Sequence, residues 1–376
     1  SEEADEALWR AGLNGYRSGE TERAISNWQA LLDSYPTSSY RDRSLYWLGK
    51  LEATLQSQEQ GAYWDRLVQE RPQGYYGLRA HQIRVGESVT ATRLLTVAIE
   101  PPLWDAAQAE TELLTWLASW AQVPTDTSLT AIPDHHPLDV DLKRGEALSV
   151  IGLRREALDT FDGVRAAAWS DPLVLAQLAL FFRDQGFHGL AARSALRLAG
   201  QWPGGSIDDG PLALRRLAFP LAYADLLSAE AQARDLDPLL LAALVRQESL
   251  FEPLATSWAG ARGLGQVMPA TGNGIARGLG MDDFTPDDLY RPSVSMRFGA
   301  YYLAVQMDVF DDQILVALAA YNGGPGNTRR WLEAGEGDLD LFVELITASE
   351  SQRYLQRVYE GYSVYEELYR RDAAEE

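Results

Sequence analysis

The chain has 376 residues and a formal net charge of −21, and 46% of its residues are hydrophobic. This length predicts two or three folded units. The negative balance argues against a nucleic-acid partner, which requires a basic surface, and against an anionic membrane surface. The chain contains no cysteine, which excludes a disulfide scaffold and a thiolate metal site.

The sequence shows no targeting or membrane signal. No run of about 18 apolar residues occurs, so no membrane-spanning segment is predicted. No signal peptide is visible. Because the first residue is Ser1 and not Met, we expect a mature or trimmed chain from which any targeting segment has been removed.

Residues 1–85 are predicted to form helical hairpin repeats. Aromatic and leucine residues recur there at helical spacing, and the first two hairpins end at Pro36 and Pro72. The separation of these prolines is close to the roughly 34-residue period of tetratricopeptide units. We therefore expect a helical scaffold that carries no chemistry of its own.

Residues 86–220 are predicted to be a second helical region, which opens with a connector at 86–104 and closes with a linker at 206–220. The pair His135 and His136 lies in a proline-containing loop. It is a weak metal signal, because no cysteine or third histidine lies near it, and we predict no metal site. Helices are expected at 103–117, 139–152, 154–167, 171–185 and 188–200.

Residues 221–376 are predicted to be a third, catalytic unit. Period-2 alternation is rare throughout the chain, so the fold class is expected to be all-α, with at most a short β-hairpin at 260–267. Ser349 and Gln352 have the spacing of a helix capping box. Helices are expected at 222–234, 238–248, 269–279, 293–309, 312–321, 326–334, 338–346 and 350–370.

The segment 239–272 carries the strongest functional signal. It begins as a helix with Asp237 as its N-cap, and its apolar face ends in Glu248. A carboxylate in this position is unusual, because burying an unpaired ion is costly. Two interpretations stay open. The side chain turns to water or pairs with Arg246 or Arg262, or it is held in a partly apolar cleft with a raised pKa, as a general acid requires.

Two further motifs follow this helix. G-A-R-G-L-G-Q occupies residues 260–266, and A-A-Y-N-G-G-P-G occupies residues 319–326. Together with R-Q-E-S at 246–249, they resemble in order and spacing the catalytic domain of the soluble lytic transglycosylases, which has a lysozyme-like fold. The resemblance covers residues 221–369 and, less specifically, the helical region before them.

The resemblance implies cleavage of the β-1,4 bond between N-acetylmuramic acid and N-acetylglucosamine in peptidoglycan, leaving 1,6-anhydro-N-acetylmuramic acid ends. Glycosidases usually need two carboxylates, but the resemblance implies that Glu248 serves alone, as general acid and then as base. The acidic residues Glu252, Asp282 and Asp283 are expected to be surface charges. No cofactor is implied.

The resemblance also implies which residues bind the substrate. Each of three of these residues also has a structural alternative: a buried tyrosine for Tyr321, a gap-filling methionine for Met268 and a helix N-terminal acid for Glu350. The implied substrate-binding residues are Ser249, Gln266, Met268, Tyr321, Asn322, Glu350 and Tyr354.

Gly265 departs from the family pattern, in which a methionine usually precedes the glutamine. We expect the missing side chain to open room beside Glu248 or to leave a contact to the sugar unmade.

Two alternative functions remain open at this point. One is a muramidase that adds water on the same scaffold, and the other is a catalytically weak glycan-binding or scaffold protein. The resemblance implies peptidoglycan strands as partner, cell-wall proteins as further partners of the helical repeats, and a periplasmic or otherwise extracytoplasmic location. Deletion of residues 4–205, expected to form a curved superhelix, should spare the cutting of short fragments.

Overall fold

The computed structural model of the chain describes residues 2–55, 61–86, 105–130, 132–133 and 135–370. These residues form helices and no strand, which confirms the predicted all-α class. The chain divides into two compact units, Ser1–Ala91 and Thr92–Glu376. The boundary near residue 220 stays a prediction, and the connector at 86–104 lies outside the described residues except for Gly86.

The first unit is built from helical hairpins that share one closing contact. A glycine of the first helix lies against a tryptophan of the second, Gly12 against Trp28 and Gly49 against Trp64. The indole Nε1 donates to a carbonyl of the first helix, at 3.3 Å for Trp28 and 2.9 Å for Trp64. The helices are α1 (Glu2–Arg17), α2 (Thr21–Ser34), α3 (Arg41–Leu55), α4 (Ala62–Glu70) and α5 (Tyr75–Val85).

The second unit continues with helical hairpins and then the predicted catalytic region. Between α7 and α8, Gly145 lies against the ring of Phe161, as in the hairpins of the first unit. The helices are α6 (Ala106–Trp120), α7 (Asp139–Val150), α8 (Arg154–Ala167), α9 (Pro172–Asp184), α10 (His188–Ala199), α11 (Leu212–Ala218), α12 (Ala224–Gln232), α13 (Pro238–Ser249), α14 (Pro269–Gly278), α15 (Pro292–Val309), α16 (Ile314–Gly323), α17 (Pro325–Ala334), α18 (Leu339–Glu344) and α19 (Ser349–Tyr369), with 3-10 turns at Ile207–Asp209 and Pro286–Tyr290.

The predicted linker at 206–220 contains helix α11, which buries Leu214 and Leu217 and gains from this apolar packing. The predicted capping box of α19 is absent. The N-cap of α19 is Ala348, and Gln352 donates its side-chain Nε2 to the carbonyl of Val343 at 2.7 Å.

The predicted catalytic region is organised by the antiparallel pair α13 and α19. Near the start of α13, the carboxylate of Asp237 accepts a hydrogen bond from the hydroxyl of Tyr362 at 2.8 Å. At its end, Glu248 accepts one from Tyr354, which precedes Tyr362 on α19. Helix α13 is buried on all sides from Leu239 to Val245. It is therefore a core element whose last residues, 246–249, are partly exposed.

The segment after α13 contains the short β pairing expected at residues 260–267. Isolated antiparallel bridges join Thr256 to Arg262 and Arg262 to Val267. Val267 belongs to a small core with residues of α14 and α15. No helix in the described ranges is both long and apolar enough to cross a membrane.

Candidate active site

Glu248 lies in the last turn of α13, where the helix leaves the core. Its Oε1 accepts a hydrogen bond of 2.5 Å from the hydroxyl of Tyr354. Desolvation by the surrounding side chains raises the pKa of Glu248 to about 7, and the nearby charge of Glu350 also raises it, while the hydrogen bond from Tyr354 lowers it. The carboxyl is therefore largely protonated at slightly acid pH.

The two arginines considered as partners of Glu248 are engaged elsewhere. Arg246 donates its Nε to the carbonyl of Ala218 at 2.9 Å, and Arg262 pairs with Asp287 at 2.7 Å. Among the described residues no cation pairs with Glu248. The predicted pairing of Glu248 with Arg246 or Arg262 is therefore absent, and its side chain is partly buried.

Two tyrosines border this carboxyl, Tyr354, which is buried, and Tyr321, which is half-buried. Tyr321 donates its hydroxyl to the carbonyl of Gly265 at 2.7 Å, and its ring meets that of Tyr302 edge to face at 5.2 Å. Burial and the charge of Glu248 raise the pKa of both Tyr321 and Tyr354 well above its usual value. Both phenols thus remain neutral hydrogen-bond donors.

Two residues predicted to bind substrate support the glycine-rich loop. Ser249 donates its Oγ to the carbonyl of Leu264 at 2.9 Å. Gln266 has a left-handed backbone with φ of 46°, and its Nε2 donates to the carbonyls of Gly263 at 2.9 Å and Ala255 at 3.2 Å. Their side-chain donors therefore hold the glycine-rich loop in place.

The remaining predicted residues lie at the surface. Met268 is 41% exposed at the N-terminus of α14. Asn322 is exposed at the end of α16, and its Oδ1 accepts a hydrogen bond of 2.7 Å from the hydroxyl of Ser351. Glu350 is exposed in the first turn of α19, close enough to Glu248 for their charges to interact. The structure thus brings Tyr321, Tyr354 and Glu350 around Glu248.

The structure shows no open space at the Cβ position of Gly265, while the alternative, an unmade contact to the sugar, stays a prediction. A Cβ at this position would lie 3.1 Å from the Cα of Gly299 in α15 and 3.3 Å from the hydroxyl of Tyr321. The backbone N–H of Gly265 donates to the Oγ of buried Ser295 at 3.2 Å. The space that a side chain would need is occupied by the α15 backbone.

Ser295 and Gly299 also shape the site, although the sequence motifs did not include them. They lie four positions apart and therefore on one face of α15. A pair of small residues on one face of an apolar helix is the signal that could have indicated a close backbone approach.

We expect the substitution Gly265→Met to lower the free energy of unfolding by about 1–3 kcal/mol, because overpacking a filled site forces its neighbours apart. Denaturant unfolding of the variant and the wild type gives this difference. Gly274→Ala is the matched control, since a Cβ at Gly274 meets no atom within 4 Å. A Gly265→Met protein as stable as the wild type would show that α15 yields to the new side chain.

Glu252 is not a surface charge, contrary to expectation. It is 6% exposed, and its carboxylate pairs with Arg154 of α8 at 3.0 Å. Asp282 and Asp283 are exposed, as expected. Within the described ranges no group of three or more His, Asp or Glu side chains has an arrangement that could hold a metal ion.

A helical domain whose central helix ends in one desolvated glutamic acid, facing tyrosines, agrees with the lysozyme-like domain expected from the sequence. Residues 225–339 match the family model described as the transglycosylase SLT domain. The soluble lytic murein transglycosylase of Salmonella typhimurium is 37% identical over 149 residues, which make up 38% of this chain and 23% of that protein. Residues 225–339 of this chain therefore form a transglycosylase SLT domain.

Two solved structures share the fold over nearly the whole chain. An inactive mutant of the lytic transglycosylase Slt of Pseudomonas aeruginosa is 25% identical with a TM-score of 0.67, covering 96% of this chain and 51% of that one. The 70-kDa soluble lytic transglycosylase of Escherichia coli has the same TM-score and coverage at 23% identity. The chain thus spans about half the length of these solved relatives.

Proposed function

We propose that this protein is a lytic transglycosylase that cleaves the β-1,4 bond between N-acetylmuramic acid and N-acetylglucosamine in peptidoglycan and leaves 1,6-anhydro-N-acetylmuramic acid ends. One observation carries the proposal. The carboxyl of Glu248 is desolvated, lacks a cationic partner among the described residues and has a pKa raised to about 7. A general acid works best when its pKa lies near the operating pH.

In the first step, Glu248 donates its proton to the glycosidic oxygen, and the bond from that oxygen to C1 breaks. The substrate's own N-acetyl group stabilises the positive charge at C1. As Glu248 becomes a carboxylate, the hydroxyl of Tyr354, 2.5 Å from its Oε1, donates to the new negative charge.

In the second step, the carboxylate of Glu248 takes the proton of the sugar's 6-hydroxyl, whose oxygen attacks C1. The acid is regenerated and no water is consumed. Asp282 and Asp283, which the sequence offered as other acids, are exposed in a loop, so neither supports a role as a second carboxylate. Exposed Glu350, whose charge reaches Glu248, is assigned to contact with the glycan, so Glu248 serves both steps in this proposal.

The proposed substrate contacts divide into two groups. Met268, Asn322 and Glu350 are accessible, and we assign them to direct contact with the glycan. Ser249 and Gln266 support the loop through their hydrogen bonds, and their proposed role is to shape the cleft.

The relatives support this substrate. The matched Salmonella protein is a soluble lytic murein transglycosylase, and one solved structure of the same fold is a 70-kDa soluble lytic transglycosylase in complex with bulgecin A. Because peptidoglycan lies outside the cytoplasm, we propose an extracytoplasmic location, with cell-wall proteins as further partners of the helical repeats.

The test is mass spectrometry of soluble products released from purified peptidoglycan in ¹⁸O-labelled water. We expect products one water lighter than reducing muropeptides and free of the label. Hydrated products that carry the label would show a muramidase. No release from substrate that a control enzyme digests would favour the glycan-binding scaffold.

A further inference from the structure

The turn that follows Glu248 has an unfavourable backbone. Leu250 and Phe251 have φ of 49° and 60°, in the left-handed region that side chains with a Cβ normally avoid. Phe251 is fully buried. We refer to Leu250, Phe251 and Glu252 as the 250–252 turn. Two consecutive residues in this conformation persist only where surrounding structure holds them.

An ion pair between buried Glu252 and half-buried Arg154 holds one end of the turn. Arg154 donates its Nε to Oε1 of Glu252 at 3.2 Å and its Nη2 to Oε2 at 3.0 Å. The backbone N–H of Leu254 donates to the same Oε1 at 3.1 Å. Charged hydrogen bonds of this two-point kind fix orientation as well as distance.

Arg154 is itself fixed by the helical hairpins. Its Nη2 also donates to the carbonyl of Gly186 at 2.9 Å, and its guanidinium lies 4.2 Å from the centre of the Phe187 ring. At the start of α10, a Cβ on Gly189 would lie 3.1 Å from the carbonyl oxygen of Leu250. Two segments of the hairpin region therefore meet the 250–252 turn.

Neighbouring titratable groups do not replace this ion pair. Burial, with the charges of Arg154 and Arg183, lowers the pKa of His188 to about 4, so the imidazole is neutral at neutral pH. Burial and the charge of Glu252 raise the pKa of Tyr223, while Arg154 lowers it. Arg154 is thus the cation that compensates the charge of buried Glu252.

We propose that Arg154 and Glu252 are positioning residues that hold the 250–252 turn, and through it the carboxyl of Glu248, in the geometry that catalysis needs. The inference rests on the proposed function, which supplies the reaction that this geometry serves. Arg154 lies outside the matched transglycosylase segment, residues 225–339. The catalytic geometry of this chain therefore depends on a helix from the preceding hairpins.

This dependence argues against the expectation that deleting residues 4–205 spares the cutting of short fragments, because the deletion removes Arg154. It also makes the positioning role measurable with short substrates, on which contacts to a long strand play no part.

The experiment compares Arg154→Gln with Arg193→Gln. Arg193, in α10, forms an exposed pair with Asp162 at 3.5 Å and serves as the matched control. With short soluble glycans we expect Arg154→Gln to lower kcat by about 10- to 100-fold with KM within about threefold, since a small misplacement of a catalytic group costs this much. Arg193→Gln should behave as wild type.

A second readout separates positioning from general loss of structure. Water that enters when the turn loosens stabilises the ionised form of Glu248. The falling limb of the pH–rate profile, where the acid loses its proton, should therefore move to lower pH in Arg154→Gln. Glu252→Gln, which keeps the size of the side chain and can still accept hydrogen bonds, should show the same shift with a smaller loss of kcat. It is the test variant if Arg154→Gln does not fold.

A direct titration of the Glu248 carboxyl by ¹³C NMR, assigned by comparison with Glu248→Gln, keeps the inference separate from the proposed function. If the wild type cleaves no glycan, the proposed function fails, and the titration still shows whether Arg154 controls the environment of Glu248. A folded Arg154→Gln or Glu252→Gln protein with wild-type kcat, pH profile and titration overturns the positioning role.

Discussion

Glu248→Gln is expected to lower kcat by about 100- to 10,000-fold, the usual contribution of a general acid. The glutamine oxygen can still accept the hydrogen bond from Tyr354, so the geometry of α13 and α19 is retained while the transferable proton is lost. Initial rates of glycan release measure the effect. Asp282→Asn, which removes a carboxylate from an exposed loop, should retain the wild-type rate.

The same substitution is expected to stabilise the protein in a pH-dependent way. The pKa of Glu248 is about 7 in the folded chain against an ordinary value of 4.5. The folded state therefore binds the proton more tightly, and stability is lost as pH rises from the lower value through the higher one. Between about pH 4 and pH 8 this loss is about 2–3 kcal/mol, with allowance for the opening of the cleft to solvent.

A glutamine in place of the acid removes this loss, so Glu248→Gln should match the wild type near pH 4 and exceed its free energy of unfolding near pH 8. Denaturant unfolding at both pH values measures the difference. Equal stability of the two proteins at both values would show that the carboxyl is not desolvated, and would remove the support for its role as general acid.

Asp237→Ala is expected to have the largest effect on stability among single substitutions near the site. One carboxylate oxygen of Asp237 caps α13 by accepting from the N–H of Leu239 at 2.8 Å. The other accepts from Tyr362 at 2.8 Å and from Nη2 of Arg370 at 2.6 Å. The substitution removes the cap and leaves the partly buried Arg370 with one fewer carboxylate partner.

We expect a loss of about 4 kcal/mol in the free energy of unfolding, the sum of about 1 kcal/mol for a cap and about 3 kcal/mol, the low end of the cost of breaking a buried ion pair. Arg370 retains Glu366 at 2.7 Å, which is why the low end applies.

Asp171→Ala is the matched control for this loss. Asp171 caps α9 ahead of a proline, as Asp237 does for α13, but the structure gives its side chain only the capping contact to Val174. It should cost about 1 kcal/mol. Equal losses for the two variants would mean that the contacts from α19 contribute nothing to stability.

The parts of the site that depend on local sequence could be predicted. Asp237 followed by a proline marks the start of α13, and the apolar period ends at Glu248 because the helix leaves the core there. Both signals lie within one helix, where spacing along the chain fixes spacing in space.

The parts that depend on distant partners were missed. Glu252 appeared to be a surface charge because its partner Arg154 lies 98 residues earlier. The space beside Gly265 depends on Gly299 in another helix. The capping box of α19 failed because Gln352 has a tertiary partner in Val343. In each of these three cases, contacts with residues distant in the sequence determined the outcome, and the local sequence alone indicated a different one.

The repeated glycine–aromatic contact of the hairpins has a consequence for how such chains change in length. Gly12 with Trp28, Gly49 with Trp64 and Gly145 with Phe161 each close a hairpin. Two of these rings also contact the helix that follows the hairpin, since the ring centre of Trp28 lies 6.0 Å from that of Trp47 and the ring centre of Phe161 lies 5.4 Å from that of Phe182. The stability of such a repeat is the sum of its own interior and its interface with the next repeat. A whole hairpin, and not a single helix, is therefore the natural increment by which a helical region of this kind lengthens or shortens.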